Sequence, residues 1–269
     1  MSIAPATVTE KLPLKRLMSE KGSVFGTMVF EFFVPGLPAI AASAGSDFLL
    51  LDMEHTGASF ETIKAQCAAC RGVGISPIVR IPVAEYHFVA RSLDVGAHGV
   101  MVPMVESAEQ AQNIVSCATY PPRGRRGAAF TIAHDDYLPG TPTAKMASAA
   151  ERTIIIPQIE TPTGVQNVDA IAAVPGVDIV WLGHFDLTNF MGIPGNFDHP
   201  DYRRAVDAIV AAARRHGKVA GFMATDERWA SEYWDLGFRA IAYGLDHLLY
   251  QQALMSGISV LKGKERQSR

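Results

Sequence analysis

Cysteine is scarce. Three in 269 residues are too few, and odd in number, for a disulfide framework, so the expected setting is reducing and cytoplasmic. Two of them, Cys67 and Cys70, form a C-x-x-C. No second pair or nearby histidine accompanies them, and they fall mid-way along an amphipathic helical pattern, FETIKAQCAACRG. That favours small, half-buried helix residues over a zinc or redox site. Neither sign of charge is in excess. With 24 Lys+Arg against 27 Asp+Glu the net charge is −3, which argues against nucleic acid or an anionic membrane as partner. Gly, Pro or a charge breaks every apolar run well before the roughly 18 residues of a membrane span. Residues 1–22 lack the apolar stretch of a signal peptide and are expected to form an N-terminal extension or helix. No G-x-G-x-x-G or G-x-x-x-x-G-K loop follows an apolar run, so no nucleotide cofactor is expected.

What is present is globular. Hydrophobic residues make up 48% and charged residues 19%, far from a disordered composition. Short apolar runs alternate with helical patterns. VFGTMVF (24–30), DFLLLD (47–52), SPIVRI (76–81), GVMVPMV (99–105), RTIIIPQIE (152–160), VDIVWLG (177–183), KVAGFMA (218–224) and FRAIAYG (238–244) read as strands. They are apolar almost throughout, as strands covered on both faces are. Eight such units in one chain of this length predict a single (β/α)8 barrel over 1–269. TGVQNVDAIAAV reads as one helix. The segment 120–150 reads as a long irregular loop. A C-terminal helix at about 245–262, apolar on more than one face, is expected at a subunit interface.

Barrel chemistry gathers at the C-terminal ends of the strands. Asp52, Glu54 and His55 follow strand 2, Arg80 ends strand 3, Gln158 and Glu160 end strand 5, and Gly183, His184, Phe185 and Asp186 follow strand 6. Each alone is an ordinary salt-bridge or capping residue. Together they put acids, a histidine and an arginine on one rim. Glu160 and Asp186 lie on neighbouring strand ends, roughly 4.8 Å apart, and two carboxylates there can share a hard cation such as Mg²⁺ or Mn²⁺. No lysine ends strands 2 to 6, which disfavours Schiff-base chemistry.

The segments LLLDMEHTG, PIVRIP, LDVGAHGVMVPMVESAEQA, YPPRGRRG, PQIET and WLGHFDLTNFMG, running in order from about Gly26 to Leu249, resemble the HpcH/HpaI aldolases. These are metal-dependent class II pyruvate aldolases of the phosphoenolpyruvate/pyruvate barrel superfamily. The resemblance implies reversible cleavage of a 4-hydroxy-2-oxo acid into pyruvate and an aldehyde through a pyruvate enolate. It matches Glu160 and Asp186 to the ligands of a divalent metal (Mg²⁺ or Mn²⁺, with Co²⁺ as a further candidate) and His55 to the catalytic histidine. It matches Arg80 to the substrate arginine and Asp94 to an aspartate paired with that histidine. Asp52, Glu54 and Gln158 fall at supporting positions near the metal and its waters. Gln158, Phe185 and Asp186 would also help bind substrate, the last two through helix N–H groups. It implies a homohexamer, a trimer of dimers. Asp94 closes the helix before strand 4, on the face opposite His55, so a pair would need a neighbouring subunit; an ordinary helix-end aspartate is the rival reading.

Two departures bear on substrate. His184 stands where the family has proline in G-P-x-D-L. The strand-1 end, MVFEFF (28–33), is one residue longer and lacks the family's frequent Trp, and its apolar rim implies a less polar acceptor than an acid semialdehyde. Arg123, Arg125 and Arg126 fit structural or interface roles better than acceptor binding. The rival functions are a malyl-CoA-lyase-like enzyme, for which an added C-terminal segment is expected, and a non-catalytic barrel that only binds.

Overall fold

A computed structural model of the protein describes residues 12–267; the part of the expected N-terminal extension over 1–11 lies outside them. A short helix α1 (Leu14–Lys21) leads into eight parallel strands: β1 (Val24–Val29), β2 (Phe48–Asp52), β3 (Ser76–Arg80), β4 (Gly99–Val102), β5 (Ile154–Ile159), β6 (Ile179–Leu182), β7 (Val219–Ala224) and β8 (Ala240–Leu245). They close in sequence order, with β8 pairing back onto β1. This is the (β/α)8 barrel predicted from the alternation of runs.

Strand side chains alternate between the barrel interior and the helix layer. Leu49, Leu51, Val79, Val100 and Ile155 pack outward with the helices. Met28, Leu50, Ile78, Met101, Ile156 and Trp181 fill the interior, and Leu14 and Met18 of α1 join that cluster. Gly221 makes room for the largest member: a Cβ there would lie 2.2 Å from the Trp181 ring. Continuing the same alternation by two residues places Asp52 above Leu50, Arg80 above Ile78 and Gln158 above Ile156. The apolar interior therefore ends in a polar layer at one mouth of the barrel.

The connecting helices are α2 (Leu37–Ser43), α3 (Phe60–Val73), α4 (Tyr86–Asp94), α5 (Ala108–Ala118), α6 (Pro142–Arg152), α7 (Pro162–Gln166), α8 (Val168–Ala172), α9 (His184–Phe190), α10 (Pro200–Arg215), α11 (Glu227–Leu236) and α12 (Asp246–Gln267). Ser59 caps α3, accepting the Thr62 N–H. Two expectations are corrected. The segment 120–150 is not irregular throughout. It holds a 3-10 turn, Ala133–Asp135, and then α6, which Thr141 caps and Pro142 opens. The single helix expected after β5 is two short ones meeting at Asn167. Cys67 and Cys70 are buried thiols of α3; burial pushes both above their ordinary range, Cys70 to about 12, leaving them inert. On α12 the large apolar side chains Tyr250, Leu254, Met255, Ile258, Val260 and Leu261 are exposed. Among the described residues no helix is long and apolar enough to cross a membrane.

Candidate active site

The site starts from a register. Asp52 and Arg80 are partners across the β2–β3 ladder, so both side chains rise on the inner side of the barrel mouth. Arg80 Nε donates to Asp52 Oδ1 at 2.5 Å and lies 3.2 Å from Glu54 Oε2. The pair is buried, with Asp52 0% and Arg80 7% exposed. The Asp52 carboxylate also accepts the backbone N–H of Glu54 (3.3 Å) and of His55 (2.8 Å), and its carbonyl accepts the Thr56 hydroxyl at 2.6 Å. One carboxylate thus folds the loop after β2 and aims the arginine. That leaves Arg80 Nη2 buried with no hydrogen-bond partner, and Glu54 Oε2 likewise makes no hydrogen bond. A buried guanidinium donor with nothing to bond is costly unless a ligand fills the place.

The carboxylates gather opposite. Glu160 is 1% exposed; its Oε1 accepts the Met104 N–H at 2.6 Å and its Oε2 accepts from the Gln158 amide. Met104 adopts a left-handed φ of 56°, a strained conformation for a side-chain-bearing residue that brings this N–H to the site. Gly183 leaves the space Glu160 needs, since a Cβ there would lie 2.5 Å from Oε2. Burial raises the Glu160 carboxyl to about 7, against the lowering effect of the Gln158 and Met104 hydrogen bonds and with the further push of Glu54 and Asp186. Glu54 is raised to about 7 by burial, and by Asp52 and Asp186 against the opposing Arg80. Glu54, Glu160 and Asp186 therefore repel one another across the mouth, with Glu160 fully buried among them.

That crowding fits a cation. The donors are hard oxygens, suited to Mg²⁺ or Mn²⁺, and a divalent charge would relieve the repulsion. Among the described residues no three His, Cys, Asp or Glu side chains converge into a ready-made cage. An ion held by Glu160 and Asp186 would accordingly keep positions for water and substrate.

The remaining expected residues divide between the mouth and other places. The His55 side chain is about half exposed, with Nε2 3.8 Å from Glu54 Oε2. Asp94 does not join it within the chain. It ends α4 and takes a 2.6 Å hydrogen bond from buried Arg126 Nη2. Arg125 bonds Asn113 and lies over the Tyr86 ring. His184 is buried among Phe185, Phe197, Phe222 and Trp229; burial lowers its imidazole to about 3, so it is a neutral packing residue rather than a group at the mouth. Phe185 is 50% exposed beside Asp186. Phe30, from the apolar strand-1 end, stands at the mouth with its ring centre 5.5 Å from Arg80 Cζ; a residue the sequence reading does not single out is Asp246 at the β8 end. The strand-end rule that found Arg80 applies to Asp246 as well.

A model of the HpcH/HpaI aldolase/citrate lyase family matches residues 31–253. The chain belongs to this family. It is 39% identical to a 5-keto-4-deoxy-D-glucarate aldolase of Klebsiella pneumoniae over 210 residues, 78% of this chain and 81% of the relative. It is 34% identical to a 2-keto-3-deoxy-L-rhamnonate aldolase of Salmonella gallinarum over 230 residues, 83% of each. The crystal structure of an HpcH/HpaI aldolase from Desulfitobacterium hafniense superposes with a TM-score of 0.89 at 33% identity, covering 93% of this chain and 97% of the other. For the HpcH/HpaI family, the polar layer at the barrel mouth is then the natural place for chemistry.

Proposed function

We propose that this HpcH/HpaI family member is a metal-dependent pyruvate aldolase. It is a carbon–carbon lyase that reversibly cleaves a 4-hydroxy-2-oxo acid into pyruvate and an aldehyde through the pyruvate enolate. The observation that carries the reading is Arg80: a buried arginine, fixed by Asp52, with an unpartnered Nη2 and with Glu54 Oε2 3.2 Å from its Nε, a carboxylate that in turn feels Asp186 and Glu160. Its curated relatives named as aldolases support the reaction type.

A divalent cation held by Glu160 and Asp186, Mg²⁺ or Mn²⁺ with Co²⁺ as a further candidate, would supply Lewis acidity at the keto oxygen. Arg80 Nη2 donates to that oxygen as negative charge develops on it, a preorganised contact in a dry site. His55, on the loop that Asp52 folds, takes the 4-hydroxyl proton in cleavage and the pyruvate methyl proton in condensation. Gln158 fixes the Glu160 carboxylate. The first-turn N–H groups of α9 at Phe185 and Asp186 have no partner within the helix and would face the pyruvate carboxylate. The exposed apolar side chains of α12 support a homo-oligomer, taken here as a hexamer built as a trimer of dimers, in which Asp94 would reach a neighbouring His55. The enzyme is assigned to the cytoplasm. Pyruvate release from a panel of 4-hydroxy-2-oxo acids, coupled to NADH oxidation with and without EDTA, tests the proposal. Chelator-sensitive release is expected; no release from any member with added Mg²⁺ or Mn²⁺ would refute it.

A further inference from the structure

Asp246 opens α12 directly after β8 and is 7% exposed. Its carboxylate accepts four backbone N–H groups: Phe30 (3.0 Å) and His247 (2.9 Å) on Oδ1, Glu31 (3.0 Å) and Phe32 (2.6 Å) on Oδ2. Burial alone would raise its carboxyl; the four donors outweigh that and hold it below its ordinary value. Three of them belong to the turn after β1, so Asp246 clamps that turn.

The clamped turn presents Phe30. Met28 pairs with Leu50 across the β1–β2 ladder, and two residues on, Phe30 comes level with Asp52, the partner of Arg80. Its ring lies against the Arg80 guanidinium, 5.5 Å from Cζ, and is backed by the His247 ring at 6.0 Å. Across the mouth, Met104 (41% exposed) and Phe185 (50% exposed) stand beside Glu160 and Asp186. Phe30, Met104 and Phe185 thus offer carbon surface at the mouth.

The charged groups on the surrounding segments are of the wrong sign for an anionic acceptor. The segments that join the eight strands to their following helices contain no Lys or Arg, whereas Glu31, Glu54, Glu85, Glu106 and Asp226 lie on them. An acceptor bearing a carboxylate would find no counter-charge on these segments. Four of their hydroxyls are engaged locally: Thr56 bonds the Asp52 carbonyl, Ser59 caps α3, Ser107 caps α5, and Thr161 caps α7 while donating to Glu106. A polyhydroxylated acceptor laid against Phe30, Met104 and Phe185 would lose water there without recovering those hydrogen bonds.

We propose that the acceptor half of the site takes an apolar aldehyde, aliphatic or aromatic, with Phe30 as the specificity-determining residue and Asp246 as the positioning residue that holds it against Arg80. This rests on the aldolase reading of the same site. The bond formed joins the pyruvate methyl carbon to the aldehyde carbon. One methyl proton leaves to His55, a proton goes to the aldehyde oxygen as it becomes the 4-hydroxyl, and nothing is oxidised or reduced.

The test is condensation of pyruvate with hexanal, benzaldehyde, glyceraldehyde and succinic semialdehyde by the full-length protein in Mn²⁺, read as kcat/KM for each aldehyde. Hexanal and benzaldehyde are expected to exceed the other two by about tenfold or more, the scale on which an apolar pocket discriminates. Phe30→Ala should remove most of that advantage and Phe30→Leu should restore part of it. Asp246→Ala should raise KM for benzaldehyde more than it lowers kcat; if that variant does not fold, the two Phe30 variants decide. A wild-type preference for glyceraldehyde or succinic semialdehyde, or an unchanged preference in Phe30→Ala, overturns the proposal. Either result leaves the aldolase reading standing provided the wild type exchanges pyruvate methyl protons; absence of that exchange overturns both.

Discussion

Asp52 and Arg80 face each other across the β2–β3 ladder and stay joined at its top, Nε to Oδ1 at 2.5 Å. The carboxylate that aims the arginine also accepts the His55 N–H at 2.8 Å. The proposed enolate stabiliser and the proposed base therefore share one support.

Arg80→Lys should be impaired by about 10² or more in kcat, the usual cost of losing one preorganised donor to a developing oxyanion. A lysine can bond Asp52, but its ammonium cannot also present a second donor in fixed geometry. Steady-state cleavage kinetics check this; near-wild-type kcat in Arg80→Lys would contradict the role.

Asp52→Ala should destabilise the fold as well as the activity. It leaves a buried guanidinium without its closest partner, which typically costs about 3–5 kcal/mol. Urea unfolding measures the loss, and Asp52→Asn, which keeps one acceptor, should show less of it.

Glu160→Gln and Asp186→Asn should each weaken binding of a divalent cation while the barrel stays folded, because both side chains sit above a packed interior. Mn²⁺ binding followed by electron paramagnetic resonance reads this without any turnover. Unchanged Mn²⁺ affinity in both variants would remove them as ligands.

Asp135 is held to about 2: burial would raise it, but hydrogen bonds from Lys145 Nζ (2.7 Å) and the Thr131 N–H (2.6 Å) prevail. A depressed folded-state value stabilises the protein above the unfolded value, near 4, and the benefit is lost as pH falls from about 4 to about 2. Asp135→Asn should flatten the pH dependence of stability in that window, measured by denaturant midpoints; an unaltered dependence would mean the ion pair between the 3-10 turn and α6 contributes nothing.

Much of this architecture is legible in the chain. Near-continuous apolar runs of strand length, bounded by turn residues and alternating with helical patterns, fit strands covered on both faces, and period-two alternation carries Leu50 to Asp52, Ile78 to Arg80 and Ile156 to Gln158. Those side chains could be placed at the mouth from spacing alone. The same strand-end rule reaches Asp246, but its clamp is not legible, because the residues it holds lie 214 to 216 positions away in sequence and meet it only when β8 closes on β1. Helix α6 is hard to read for a local reason: its Thr141–Pro142 start signal lies inside a stretch dominated by turn residues. His184 stood out as a titratable replacement in the site loop, yet the aromatic residues that bury it come from β7, α11 and the segment before α10.

Asp94 separates an in-trans role from a local one. With Arg126 holding it at 2.6 Å, a local role predicts that Asp94→Ala only loosens the 120–127 turn. The in-trans role predicts that mixed oligomers of inactive His55→Ala and inactive Asp94→Ala chains regain part of the activity. Recovery in oligomers of confirmed composition supports the pairing between subunits, and none supports the local role.

The most direct measurement of the central claim is exchange of the pyruvate methyl protons in deuterated water, followed by proton NMR with Mg²⁺ or Mn²⁺ present, because it isolates enolate formation from the identity of the aldehyde. The wild-type protein should exchange the methyl group, EDTA should stop it, and Arg80→Ala should slow it by about 10²–10³. No exchange with either cation, or equal exchange in Arg80→Ala, would contradict the claim that this site makes a pyruvate enolate.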